Sequence, residues 1–258
     1  MESMRWVGVD VHAKESLAAV LDPVRFAERC GITPDPWQAR VLRSTSPRIL
    51  LNCSRQSGKS TMAAVLAVHQ ALYAPGSLVL CLSPTLRQSG ELFKKALSIY
   101  RAAGKPVQPE SETALTLTLD NGSRIVSLPG KEGTVRGYSA VDLLVCDEAA
   151  WIPGDLYAAL RPMLAVSGGR LLALSTPHGN RGWWFEAWRS GEPWERYEVP
   201  ATMCPRISAA FLEEERRSIG DWWFQQEYEC TFLDAESQAF RREDIDRALS
   251  EEVTTWAL

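Results

Sequence analysis

The stretch Arg48 to Val68, RILLNCSRQSGKSTMAAVLAV, constrains this chain more than any other. It reads as a buried strand, a short polar turn and a helix with one apolar face, and the turn closes on Gly58-Lys59-Ser60. A loop of this kind turns its backbone N–H groups inward around phosphate oxygens at a helix N-terminus, so it needs small residues and a flexible glycine. Gly58 supplies the freedom, Lys59 a charge for the β- and γ-phosphates, and Ser60 a hydroxyl for Mg2+. Ser54, Arg55, Gln56, Ser57 and Thr61 complete the candidate ATP-binding loop. Where G-x-x-x-x-G-K-[ST] asks for its first glycine, this chain has Cys53. A small side chain serves there if φ stays negative. Arg55 puts a guanidinium inside the loop, where it can approach a γ-phosphate of the same subunit; the plainer alternative is a solvated arginine in a Ser-rich turn.

A second element strengthens the phosphate reading. Leu143 to Trp151, LLVCDEAAW, is an apolar strand that delivers Asp147 and Glu148 at its C-terminal end. Ligands of open α/β sheets bind at that end. An aspartate there can hold Mg2+, and the adjacent glutamate can act as general base on the attacking water. A third stretch, LLALSTPHGNRGWWFEAW, ends a buried strand in Ser175-Thr176-Pro177, whose hydroxyls can sense the γ-phosphate and pass the signal on.

The remaining pattern predicts a mostly parallel α/β sheet flanked by helices. Strands are expected at Arg48–Cys53, Leu78–Ser83, Ala114–Leu119, Arg124–Leu128, Val141–Cys146 and Arg170–Ser175. Four of these are near-continuous apolar runs, as in strands covered on both faces. TLTLTLDNGSRIVSL instead alternates with period two around Asn121-Gly122, which predicts an antiparallel hairpin with a two-residue turn. Helices are expected over Ser60–Tyr73 and Thr85–Ala103, and a small helical appendage over Ser208–Asp234.

The chain has 258 residues, 45% hydrophobic, and a net charge of −4, so any nucleic-acid contact needs a local basic patch. Its six cysteines show no C-x-x-C pairing, which suits buried reduced thiols. No apolar run approaches the roughly 20 residues that span a bilayer, and the N-terminus lacks a signal-peptide pattern.

Together, SRQSGKS, LLVCDEAAW and LALSTPHGNRGWWFEAW resemble the ATPase domain of the large terminase subunit of tailed double-stranded DNA bacteriophages, over about Asp35 to Phe240. An arginine-bearing Walker A motif without its first glycine is usual in that family. The resemblance implies a P-loop NTPase of the RecA-like, ASCE type with a small C-terminal helical lid, using ATP and Mg2+. Its domains would be an N-terminal extension (1–34), an ATPase core (35–205), a helical lid (206–240) and a linker (241–258) toward a nuclease domain that this chain lacks. The implied activity is ATP hydrolysis that drives viral double-stranded DNA into a procapsid in the cytoplasm of the infected host cell. The implied partners are DNA, portal protein, the small terminase subunit and further copies in a pentameric ring, with monomers in free solution. No membrane and no DNA cleavage by this chain are expected.

Carried over by position, Lys59 and Ser60 match the Walker A lysine and hydroxyl, and Arg55 the Walker A arginine. Asp147 and Glu148 match the Walker B pair, with Asp147 and Ser60 on the metal and Glu148 catalytic. Ser175-Thr176-Pro177 matches the coupling motif, and Gln38 the upstream glutamine that reads adenine. Arg136, beside Gly137, matches a region from which an arginine reaches the neighbouring subunit's ATP; Arg55 in cis competes for that role. Lys94, Lys95, Arg101 and Lys105 form a basic stretch along the second long helix, fit for sequence-tolerant phosphate contacts or simply a solvated helix face. Trp183, Trp184, Phe185 and Trp188 are expected to pack between sheet and appendage. Two rivals share some motifs: a helicase-type ATPase domain, which needs a second motor domain, and a nucleotide-gated assembly module with negligible turnover.

Overall fold

A computed structural model describes residues 22–130, 135 and 137–234. Two short helices, α1 (Pro23–Arg29) and α2 (Pro36–Arg43), precede β1 (Arg48–Cys53) and α3 (Lys59–Tyr73). Then come β2 (Leu78–Ser83), α4 (Leu86–Ala102), β3 (Pro109–Glu112), β4 (Thr116–Leu119), β5 (Arg124–Pro129) and β6 (Leu143–Asp147). The chain continues through α5 (Gly154–Leu160), β7 (Arg170–Ser175), α6 (Gly182–Arg189), β8 (Glu195–Val199) and α7 (Ala209–Tyr228), which breaks at Gly220. Among the described residues the strands form one sheet, ordered β3-β4-β5-β2-β6-β7-β1-β8.

From β5 to β8 every pairing is parallel, and β3-β4-β5 is antiparallel. The apolar runs explain this. Along β1, Ile49, Leu51 and Cys53 enter the core on one face and Leu50 that on the other. The same alternation separates Val79 and Cys81 from Leu78, Leu80 and Leu82 in β2. Helices α1 to α4 cover the first face, with Phe26, Trp37, Val65 and Phe93 buried there. Helices α5 and α6 cover the second through Leu156, Leu160, Trp183 and Trp184. Both faces are covered, as near-continuous apolar parallel strands require.

The hairpin lies where the alternation puts it, but its loop is longer than expected. Leu119 pairs with Ser123, so three residues (Asp120, Asn121, Gly122) lie between them, and Gly122 takes a left-handed φ of 82°. A type I turn closed by a left-handed glycine is the three-residue solution. The Asn121 side chain is drawn off to the end of α3, donating to the Ala71 carbonyl at 2.9 Å. Two strands lack an apolar run and escape pattern reading: β3, PESE, on the sheet edge, and β8, ERYEV, which completes the opposite edge beside β1. Helix α1 lies ahead of the core boundary expected at residue 35, and its Phe26 is fully buried against His69 and Tyr73 of α3. Residues 241–258 lie outside the described residues.

Trp183 and Trp184 pack on the sheet rather than against α7. Tyr157 of α5 stacks on Trp183 with centroids 3.9 Å apart, and the indole N–H of Trp183 donates to the Ile152 carbonyl at 2.8 Å. Phe185 and Trp188 instead meet Phe232, beyond α7.

One glycine fixes how closely β7 approaches the segment before β6. A Cβ added to Gly169 would lie 1.9 Å from the Val141 carbonyl oxygen and 3.0 Å from that of Asp142. Backbone atoms cannot rotate away as a side-chain tip can. Gly169→Ala is therefore expected to cost about 2 kcal/mol or more, a fall in thermal midpoint of roughly 4–8 °C. Thermal unfolding followed by circular dichroism checks this; an unchanged midpoint would mean that the approach is not so close.

Candidate nucleotide site

The strand order builds the site. Strand β7 lies between β1 and β6, so three parallel strands deliver the polar turn, Ser175-Thr176-Pro177 and Asp147-Glu148 to one edge of the sheet. Cys53 ends β1 outside the left-handed region, so no glycine is needed there, and burial pushes its thiol up to about 12. The loop turns at Gln56 (φ 58°) and Gly58 (φ 89°), the second of which immediately precedes α3. A Cβ on Gly58 would come within 2.8 Å of Gln38 Nε2.

The charges then meet. Lys59 Nζ lies 3.4 Å from Glu148 Oε1, and Ser60 Oγ donates to the Asp147 carboxylate at 3.2 Å. Lys59 and Asp147 are both buried. Burial, reinforced by the neighbouring Glu148 charge, pushes the Asp147 carboxyl up to about 6, against the pull of Lys59. Glu148 itself stands in left-handed backbone (φ 51°, ψ 47°), which turns its side chain away from the strand's regular alternation. A cavity of about 640 Å³ opens in front of these groups, lined by the loop residues 55–61 and by Glu148, Thr176, Gln88 and Trp151. A positive, glycine-containing loop at the N-terminus of a 15-residue helix, facing two carboxylates, can bind a polyphosphate and activate water beside it.

A family model described as terminase large subunit, T4likevirus-type, N-terminal, matches residues 50–247. The chain belongs to this terminase family. The terminase large subunit of Thermus phage G20c is 28% identical over 259 residues, a match that takes in 86% of this chain and 53% of that protein. The chain thus spans about half the length of the curated relatives it matches. The structure of the Thermus phage P74-26 large terminase ATPase domain is 27% identical, with a TM-score of 0.74 over 82% of this chain and 99% of that one. The large terminase of another thermophilic bacteriophage, solved in complex with ADP, shares the fold at 15% identity (TM-score 0.62, covering 77% of this chain and 53% of that one).

Within this terminase domain the other expected site residues fall in different surroundings. Ser175 accepts a hydrogen bond from the Ala150 backbone N–H at 3.2 Å, tying the strand end to the turn after Glu148. Thr176 lines the cavity, and Pro177 is buried behind it. Gln38 is buried and braces the loop: it accepts from the Asp35 N–H at 2.8 Å and donates to the Ser57 carbonyl at 3.1 Å. Ser54 and Ser57 are buried, and Thr61 is the third residue of α3, within its first turn. Arg55 lines the cavity and is ion-paired to Glu227, which raises its pKa; its backbone N–H donates to the Glu227 carbonyl at 3.0 Å. Arg136 lies outside the described residues. Of the basic stretch, Lys94 pairs with Glu91 at 2.9 Å and Arg101 with Glu112 at 2.5 Å. Lys105 follows α4 in left-handed backbone, whereas Lys95 lines the cavity itself.

Pattern reading missed the residues that hold the loop from outside. Arg206 forms a two-pronged ion pair with Asp35 (2.9 and 2.7 Å) and reaches the Ser57 carbonyl at 3.4 Å. Gln226 accepts from the Gly179 N–H at 3.3 Å, and Asn52 donates to the Cys230 carbonyl at 2.9 Å. Only the aspartate-proline start of α2 carried a local cue, as a helix N-cap.

The Asp147 shift carries a stability cost. Its folded-state pKa lies above the ordinary aspartate value, so the folded chain holds that proton more tightly between about pH 4 and 6. Stability therefore falls as pH rises through this window, by on the order of 3 kcal/mol in total. Asp147→Asn is expected to raise the thermal midpoint at pH 8 without added metal or nucleotide, with the gain vanishing toward pH 4. A variant less stable than the parent at pH 8 would contradict this account.

Proposed function

We propose that this chain hydrolyses ATP and that hydrolysis drives double-stranded viral DNA into a procapsid, as the motor part of a terminase large subunit. One observation carries the reading: Lys59 and Ser60 contact Glu148 and Asp147 beside an open cavity at the carboxyl ends of β1 and β6, the parallel strands that flank β7. Backbone N–H groups over residues 56–60 receive the phosphates, and the Lys59 ammonium moves from Glu148 onto the β- and γ-phosphates. Glu148, released from that pair, takes a proton from the attacking water as the water oxygen bonds to the γ-phosphorus. The bond from that phosphorus to the β–γ bridging oxygen breaks, and ADP leaves with the electron pair.

The Ser60 hydroxyl and Asp147 carboxylate, 3.2 Å apart, fit Mg2+, which takes one or two protein oxygens and completes its shell with phosphate and water. When bound, Mg2+ neutralises charge that develops on the phosphate oxygens. Gln38 keeps one free acceptor and one free donor valence beyond its bonds to Asp35 and Ser57, which suits an adenine edge. Ser175 and Thr176 sit between the phosphate loop and the Glu148 turn, a position from which γ-phosphate loss is felt by the Gly179–Gln226 contact and α7. Residues 206–240 then act as a lid and 241–258 as a linker. Lys94, Arg101 and Lys105 are the proposed DNA contacts; exposed ion pairs such as those of Lys94 and Arg101 are weak enough to be exchanged for phosphates. The working assembly is a pentameric ring with portal protein and small terminase subunit, in the cytoplasm of the infected cell. There Arg136 completes a neighbour's site, unless Arg55 leaves Glu227 and serves in cis.

The test is ATP turnover against protein concentration, with nucleotide affinity measured in parallel. Glu148→Gln is expected to lower turnover about 100-fold or more while ATP still binds. Specific activity should rise with concentration, and Arg136→Ala should abolish the rise. A flat profile in which only Arg55→Ala and Glu148→Gln lose activity would assign the arginine in cis. A parent chain that binds ATP without turnover, or an undiminished Glu148→Gln variant, would overturn the hydrolytic reading.

A further inference from the structure

The nucleotide cavity does not end at the carboxylates. Beside it lies a second cavity of about 670 Å³, walled by Arg87, Glu91, Leu92 and Lys95 of α4 together with Asp147. The two spaces share Ser60, Thr85, Gln88, Lys95 and Glu148 in their linings, so they meet at the groups that face the γ-phosphate. The first cavity is dominated by the phosphate loop, whereas the second is walled mainly by α4.

At that junction the electrostatics are unusual. Asp147, Glu148 and Glu91 all face the second cavity, and an anion crossing it would be repelled unless cations offset them. Glu91 is engaged by Lys94 at 2.9 Å, and Glu148 by Lys59 at 3.4 Å. Lys95 forms no ion pair among the described residues, although it borders both cavities and its charge acts on Asp147. Arg87, two helical turns back on the same wall, also has no ion pair among them. A cation kept free beside a carboxylate pair is available to a passing anion. Meanwhile an ADP diphosphate held in the loop would stand between newly formed orthophosphate and the first cavity.

We propose that the second cavity is the exit path for orthophosphate, with Lys95 as its principal ligand and Arg87 the next cation outward. This rests on the ATP reading above. It also turns Lys95 from a DNA contact into a ligand for product, and makes the wall of α4 the element that registers phosphate departure.

Inorganic phosphate is the probe. The full chain is saturated with Mg2+ and ADP, and phosphate affinity is measured by calorimetry for the parent, Lys95→Gln, Lys95→Arg and Lys94→Gln. Lys95→Gln is expected to weaken phosphate binding at least tenfold while ADP affinity holds. Lys95→Arg should stay within about threefold of the parent, because any cation there serves, and Lys94→Gln within twofold. Equal phosphate affinity in the parent and Lys95→Gln would overturn the proposal. So would a parallel loss of ADP affinity, which marks a merely structural role, or a parent that holds Mg2+ and ADP but no phosphate. Failure of the parent to bind Mg2+ and ADP at all would instead bring down the ATP reading itself, and this inference with it.

Discussion

Two contacts among four side chains, Lys59 with Glu148 and Ser60 with Asp147, organise this molecule. They join the start of α3, which follows β1, to the end of β6 across the intervening β7, so they exist only because the sheet is wound in that order. The pairing is costly in isolation, since a buried carboxylate beside a second one is held toward its protonated form. A phosphate loop without a counter-anion has the opposite problem. Set against each other, the two partly neutralise, and a metal with a polyphosphate would complete what the protein leaves unbalanced. Stability is given up locally so that binding can restore it.

The surroundings hold this arrangement from two directions. From below, Gln38 ties α2 to the Ser57 carbonyl, and Asp35 in turn is gripped by Arg206. From above, the end of α7 and the residues just after it touch three parts of the site: Glu227 holds Arg55, Gln226 holds the backbone after Pro177, and Cys230, past the helix, receives Asn52 of β1. A displacement of the phosphate loop or of the strand end beyond Ser175 is therefore transmitted to one helix. That helix is broken at Gly220, which divides the part in contact with the site from the part preceding it. Mechanical output from so small a chemical change needs such a convergence.

Much of this was legible in the residues, and the reasons are physical. Strands β1, β2 and β7 carry the period of a doubly covered strand with no competing pattern, so their limits are those read from sequence. The phosphate loop and the Asp147-Glu148 pair announce themselves because phosphate chemistry demands fixed residue types in sequence order. Strand β8 was not legible: ERYEV has neither apolar continuity nor clean alternation, and it is a strand because β1 offers a free edge. The partners Glu227, Gln226 and Arg206 lie far along the chain from what they hold, and nothing local marks them. Lys95 shows the limit from the other side. In linear sequence it belongs to one basic stretch with Lys94, yet consecutive helix residues point about 100° apart, and α4 sets one of these neighbours on Glu91 and the other at the nucleotide cavity.

The most direct test of the account is a crystal structure of this chain with Mg2+ and a non-hydrolysable ATP analogue. The account predicts phosphates cradled by residues 56–60, with Mg2+ about 2.1 Å from the Ser60 hydroxyl and near Asp147. Lys59 should have left Glu148 for the phosphates, freeing that carboxylate to face a water in line with the γ-phosphorus. A nucleotide bound elsewhere, or one bound in the loop while Lys59 remains on Glu148, would contradict it.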